Sequence, residues 1–168
     1  MTFQIGEKVV YPNQGVGTVE NISSRCFGGQ FEPFYLFHLM CSSLTVMVPF
    51  SHVQEVGLRK VTRNGELTRV LDFLAGGACP CSHDWKIRFK ANSEKMRLGG
   101  LLQIAQVLKT LLLLQSDKPL SFREKKMLDR ARHMLVSEIS ISRGMPCQAI
   151  ALLQKALAKA SLSLPAAL

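Results

Sequence analysis

Residues 84–97 read DWKIRFKANSEKMR, and how this stretch folds decides the reading of the second half of the chain. It holds the only tryptophan, and lysine or arginine at 86, 88, 90, 95 and 97. No proline or glycine interrupts it, so it is expected to be a helix with Asp84 at its N-cap. At about 100° per residue, Trp85, Phe89, Asn92 and Met96 share one face. Lys86, Lys90 and Arg97 form a row on one flank of that face, and Arg88 and Lys95 a row on the other. An aromatic side chain between two cationic rows can hold phosphates on both sides and press an apolar edge into a groove. Taken alone, the helix favours a plainer reading, a core tryptophan beneath a solvated basic face. The rest of the chain alters that balance.

The charge is unevenly distributed. Residues 1–60 carry four bases and four acids, so the whole excess of +9 lies in residues 61–168. A neutral first part and a basic second part suggest two modules with different partners, 1–60 and 61–168, the basic one suited to a polyanion such as nucleic acid. The N-terminus lacks a basic segment followed by an apolar core, so no signal peptide is expected. The longest apolar stretch, Leu101–Leu114, is interrupted by Gln103, Gln106 and Lys109 and is shorter than the roughly 20 residues a spanning helix needs. Five cysteines, an odd number, without an export signal read as reduced thiols in the cytoplasm.

Residues 1–60 have the pattern of β structure. Phe3–Tyr11 alternates loosely, Pro12-Asn13-Gln14-Gly15 is a turn, and Val16–Ile22 a strand. After a second turn at Gly28-Gly29, Pro33–Met40 (PFYLFHLM) reads as a strand covered on both faces. Ser42-Ser43 turns into a last strand, Leu44–Val48, which Pro49 stops. Short strands at this spacing suggest a small barrel, which binds through a loop or an edge strand. From Thr62 the period becomes helical. Asn64–Ala75 carries Leu67, Val70, Leu71 and Leu74 on one face and stops at Gly76-Gly77. Leu101–Gln115 is a bundle-centre helix. Ser121-x-x-Glu124 is a capping box opening a helix over Phe122–Ser142, buried through Met127, Leu128, Ala131, Leu135 and Ile139. Lys125, Lys126, Arg130 and Arg132 fall on its outer side, Arg132 leaning to plain solvation. Pro146 opens a final helix to Lys159, and the tail around Pro165 is expected to fray. The linker Cys79-Pro80-Cys81-Ser82-His83 invites a zinc reading, but structural zinc takes four ligands and no second pair stands nearby, so no metal and no cofactor are assigned. The histidines and cysteines form no nucleophile–base spacing, which argues against an enzyme.

Four stretches in order, FQIGEKVVYPNQGVGTVENI (3–22), LTVMVP (44–49), DWKIRFKANSEKM (84–96) and LSFREKKMLDRARHMLVSEI (120–139), are similar to the CarD/CdnL family of bacterial transcription regulators. The resemblance runs from Phe3 to about Ile141. It implies an α+β chain of two domains, a small Tudor-like β-barrel followed by an all-α helical bundle. It also implies that the barrel binds the β subunit of RNA polymerase through Arg25, Met47 and Pro49. The helical domain would contact promoter DNA without reading sequence, at the upstream edge of the bubble, and stabilise the open complex. Trp85 would then be the wedge, and Lys86, Arg88, Lys90 and Lys95 the phosphate contacts. Met47, where some members carry a base, implies a more apolar contact with polymerase, and Ile87 removes one possible phosphate contact. The apolar run Leu111–Leu114 is read as packing in preference to a partner surface. The alternative is an interaction module that binds polymerase or a repair factor without touching DNA. Neither reading involves a membrane or a small-molecule substrate.

Overall fold

The computed structural model describes residues 2–76 and 79–166, apart from the side chains of Phe27 and Pro146. The chain divides into two compact units, Met1–Val61 and Thr62–Leu168.

The first unit is one antiparallel sheet. Its strands are β1 (Lys8–Tyr11), β2 (Gly15–Phe27), β3 (Gln30–Leu39), β4 (Thr45–Pro49) and β5 (Arg59–Lys60), with the short helix α1 (Val53–Val56) before β5. Their order across the sheet is β4-β3-β2-β1-β5, so β4 and β5 are its edges. Alternation along β3 sends Tyr35 and Phe37 to a core shared with Val9, Val19 and Val48, closed by Phe3, Val53 and Leu58. Phe34, on the opposite side of β3, is also buried, as a doubly covered strand requires. The expected strand Phe3–Tyr11 shrinks to Lys8–Tyr11, because Gly6 turns the backbone at φ +86° and gives its N–H to the Val19 carbonyl at 2.7 Å. β2 exceeds its expected length because a bulge between Val19 and Asn21 carries it into a long hairpin ending at Gly28-Gly29. α1 and β5 were not legible in the sequence, being too short to show a period.

The second unit is a helical bundle of α2 (Asn64–Gly76), α3 (Trp85–Leu98), α4 (Leu101–Asp117), α5 (Phe122–Arg143) and α6 (Pro146–Lys159). Gly77, half of the expected stop after α2, lies outside the described residues. α4 is the axis, with Ile104, Ala105, Val107, Leu108 and Leu111 fully buried against the surrounding helices. Leu111, Leu112 and Leu114 all lie in this core, which resolves the apolar run as packing. At the start of the unit, the buried Glu138 carboxylate on α5 accepts from the Thr62 backbone N–H at 2.9 Å and from its hydroxyl. The tail does not fray as expected. Arg132 donates to the Pro165 carbonyl at 2.7 Å, and Leu162 and Leu164 pack on the core. That contact also corrects the reading of Arg132 as a merely solvated side chain.

Candidate nucleic-acid interface

The helix α3 starts where the sequence places it. Asp84 is extended, and its carboxylate accepts from the backbone N–H groups of Lys86 at 2.7 Å and Ile87 at 3.2 Å. Two otherwise orphaned donors are satisfied, and the negative charge sits at the positive end of the helix dipole. Gly99, left-handed at φ +69°, closes the helix.

This cap fixes Trp85 as the first residue of the helix. The indole is 39% exposed and stacks on Phe89, with ring centroids 5.5 Å apart and planes 20° off parallel. Trp85 is therefore an accessible ring supported from beneath by a second aromatic. About a quarter turn around the helix, Lys86 and Lys90 form an exposed row one turn apart. Arg97 continues this side but is bound to Glu94 at 2.6 Å, an exposed pair in which hydrogen bonding holds the glutamate below and the arginine above its ordinary value. Ile87 is exposed as well.

The other flank is not a cationic row. Arg88, expected at a phosphate, is 3% exposed. Its guanidinium binds Glu124 of α5 through Nη2 at 2.8 Å and Nε at 3.2 Å, and Nη1 donates to the carbonyls of Ser82 at 3.0 Å and His83 at 3.3 Å. Arg88 shares its face with Asn92 and Met96, four and eight residues on, and this is the face that packs. That spacing was the available signal, and the residue type obscured it. Arg88 is thus a structural clamp and unavailable to a phosphate. Lys95, on the same flank, is half-buried and lines a cleft with Cys81, Arg88 and Thr110.

Glu124, not anticipated in this role, is the centre of the clamp. It closes the capping box with Ser121, whose hydroxyl and backbone N–H both donate to Oε2 at 2.9 and 3.1 Å. Burial pushes its carboxyl up; the hydrogen bonds from Arg88 and Ser121 outweigh that and hold it below the ordinary value. One carboxylate therefore starts α5 and fastens α3 and the linker before it.

In the first unit, Arg25, Met47 and Pro49 lie on the sheet face opposite the core. Met47 pairs with Leu36 and Pro49 with Phe34 across β3–β4, and the Arg25 guanidinium lies 5.8 Å from the centre of the Phe34 ring. Met47 is exposed on β4, an edge strand.

Residues 3–62 match the CarD-like/TRCF RID domain family, and residues 69–154 match the CarD C-terminal domain family. The two matches follow one another in the order of the two folded units. This chain belongs to the CarD family. The putative transcription factor YdeB of Bacillus subtilis (strain 168) is 33% identical over 143 residues, covering 85% of this chain and 94% of its own. Two solved structures from Myxococcus xanthus are similar to part of this chain. The N-terminal domain of CarD is 37% identical with a TM-score of 0.31, covering 35% of this chain and 79% of its own. The CdnLNt structure is 38% identical with a TM-score of 0.32, covering 36% and 86%. The CarD family is of transcription-factor type and not a class of enzymes. Among the described residues, no helix is long and apolar enough to cross a membrane, and no cluster of His, Cys, Asp or Glu suits a metal ion.

Proposed function

We propose that this CarD-family protein binds the RNA polymerase β subunit through its sheet unit and stabilises the promoter open complex through α3. The observation that carries the proposal is the single tryptophan, exposed at the head of a basic helix and backed by Phe89. An unstacked base step at the bubble edge accepts an aromatic wedge at lower cost than intact duplex does. Lys86 and Lys90 supply phosphate contacts, with Lys95 secondary because it is half-buried. Two or three such contacts bind DNA weakly and without reading sequence. Tethering to polymerase raises the local concentration, to the mM range for a short connection. This division of labour gives the neutral 1–60 and basic 61–168 modules their separate tasks, in the cytoplasm where polymerase works.

The test is a footprint of polymerase on a promoter with and without the protein. Added protection and reactivity changes at the upstream bubble edge are expected. An unchanged footprint, with polymerase still bound, would leave only the interaction-module reading. Replacing Lys86 and Lys90 by alanine should weaken open-complex stabilisation on every promoter sequence. It should also lower the slope of log affinity against log salt by about one per lysine. Salt titrations of the two single variants and the double variant check this.

For polymerase, the edge position of β4 supports strand addition, with Met47 presenting an apolar side chain beside the added strand. Met47→Glu puts a charge into that contact and should cost about 1–3 kcal/mol of affinity. Surface titration against the β subunit reads this directly, with the unfolding midpoint unchanged. Undiminished affinity would move the contact away from this edge.

A further inference from the structure

The Cys79-Pro80-Cys81 segment is unused by the function proposed above. Cys79 is half-buried, with its sulfur 2.8 Å from the Thr110 hydroxyl and 3.7 Å from the Gln106 carbonyl, both on α4. Cys81 is exposed. Beside it opens a cleft of about 70 Å³, lined also by Arg88, Lys95 and Thr110, large enough for a peroxide-sized molecule. The lining mixes apolar side chains such as Pro80 and Ile87 with polar ones, and it leaves the Cys81 thiol open to a small oxidant. Next to Thr110 in sequence, Lys109 is buried and donates to the Phe73 carbonyl at 2.8 Å. Burial lowers its ammonium below the ordinary value, and the nearby Cys79 sulfur partly offsets that.

We propose that Cys79 and Cys81 form an oxidisable dithiol, closed to an intramolecular disulfide by hydrogen peroxide, that resets the lead-in to α3. Residues two apart are at most about 7 Å apart at their α-carbons. A disulfide spans about 4.4–6.8 Å, so the bond is within reach of local rotation. The Cys81 sulfur attacks the O–O bond, taking one oxygen as a sulfenic acid while the other leaves as water. The Cys79 sulfur then attacks the Cys81 sulfur; the S–O bond breaks and a second water leaves with the Cys79 proton. Two thiols lose two hydrogens, and one peroxide becomes two waters.

The bond pulls Cys79 away from Thr110 and shortens a segment whose far end Arg88 grips through the Ser82 and His83 carbonyls. The next residue is the Asp84 cap, and the one after it is Trp85. The bond and its effect on the indole stand independently of the DNA reading, whereas its effect on open complexes rests on that reading.

The experiment treats the reduced full-length chain with hydrogen peroxide. Free thiols are expected to fall from five to three, peptide mapping should find Cys79 joined to Cys81, and Trp85 emission should change in step and return with dithiothreitol. Cys79→Ser or Cys81→Ser should abolish the response. The triple variant Cys26→Ser, Cys41→Ser, Cys147→Ser should keep it. Oxidation elsewhere with these two thiols left free, or a terminal sulfinic acid at Cys81 without a cross-link, overturns the proposal. A bond that forms and moves the emission but leaves open-complex lifetime unchanged counts against the DNA reading and not against the bond.

Discussion

Trp85→Ala is expected to shorten the lifetime of the open complex about 5- to 150-fold while leaving affinity for the polymerase β subunit intact. The range follows from the stacking of an aromatic on an exposed base, worth about 1–3 kcal/mol, at about 1.4 kcal/mol per factor of ten. Opening is a near-balanced equilibrium, and a ligand shifts it only by its differential affinity for the two states. The lysines bind phosphates in closed and open DNA alike, so they contribute mainly to overall affinity. The indole has a partner only where a step is unstacked, so its loss falls on the open state. Folding should change little, since Trp85 is partly exposed and loses chiefly its stacking on Phe89, about 1 kcal/mol. Trp85→Phe should recover part of the lifetime. A single-promoter dissociation experiment with competitor decides the matter: full stabilisation by the alanine variant would remove the wedge from the mechanism.

The helix that carries this side chain was legible because its signals are local. An N-capping aspartate, an uninterrupted helical stretch and a terminal glycine each act within one turn, and Asp84, Trp85–Leu98 and Gly99 follow them. The capping box at Ser121 and Glu124 was legible for the same reason. What the sequence withheld depends on partners far along the chain. Arg88 and Glu124 are 36 residues apart, and nothing in the local pattern of either says that they meet. A basic residue on a basic helix suggests solvent or phosphate until the row formed with Asn92 and Met96 marks its face as buried. The sheet shows the same division: the turn at Gly28-Gly29 was visible, while the bulge after Val19 arises from cross-strand register.

Arg88→Ala should destabilise the helical unit by about 3–5 kcal/mol, the loss expected when one member of a buried ion pair is removed and the other stays behind. Glu124→Gln keeps the capping box, since glutamine serves there as glutamate does, yet leaves the guanidinium buried without a counter-charge. It should therefore also destabilise. Arg88→Met combined with Glu124→Gln removes both charges and should cost clearly less than the two single changes added together. Urea titration followed by the emission of the sole tryptophan, which lies in this unit, measures all three. The pH dependence has a definite sign. The Glu124 carboxyl is held below its ordinary value in the folded chain, so its contribution is complete above the unfolded value of about 4.3. It is lost as pH falls through the lower folded value. The native chain should lose stability in that acid window by an increment that the double variant lacks. If the two curves run parallel through it, the pair contributes nothing net. The hold on the linker carbonyls would then rest on Arg88 alone, and Trp85 would be positioned by the Asp84 cap without help from α5.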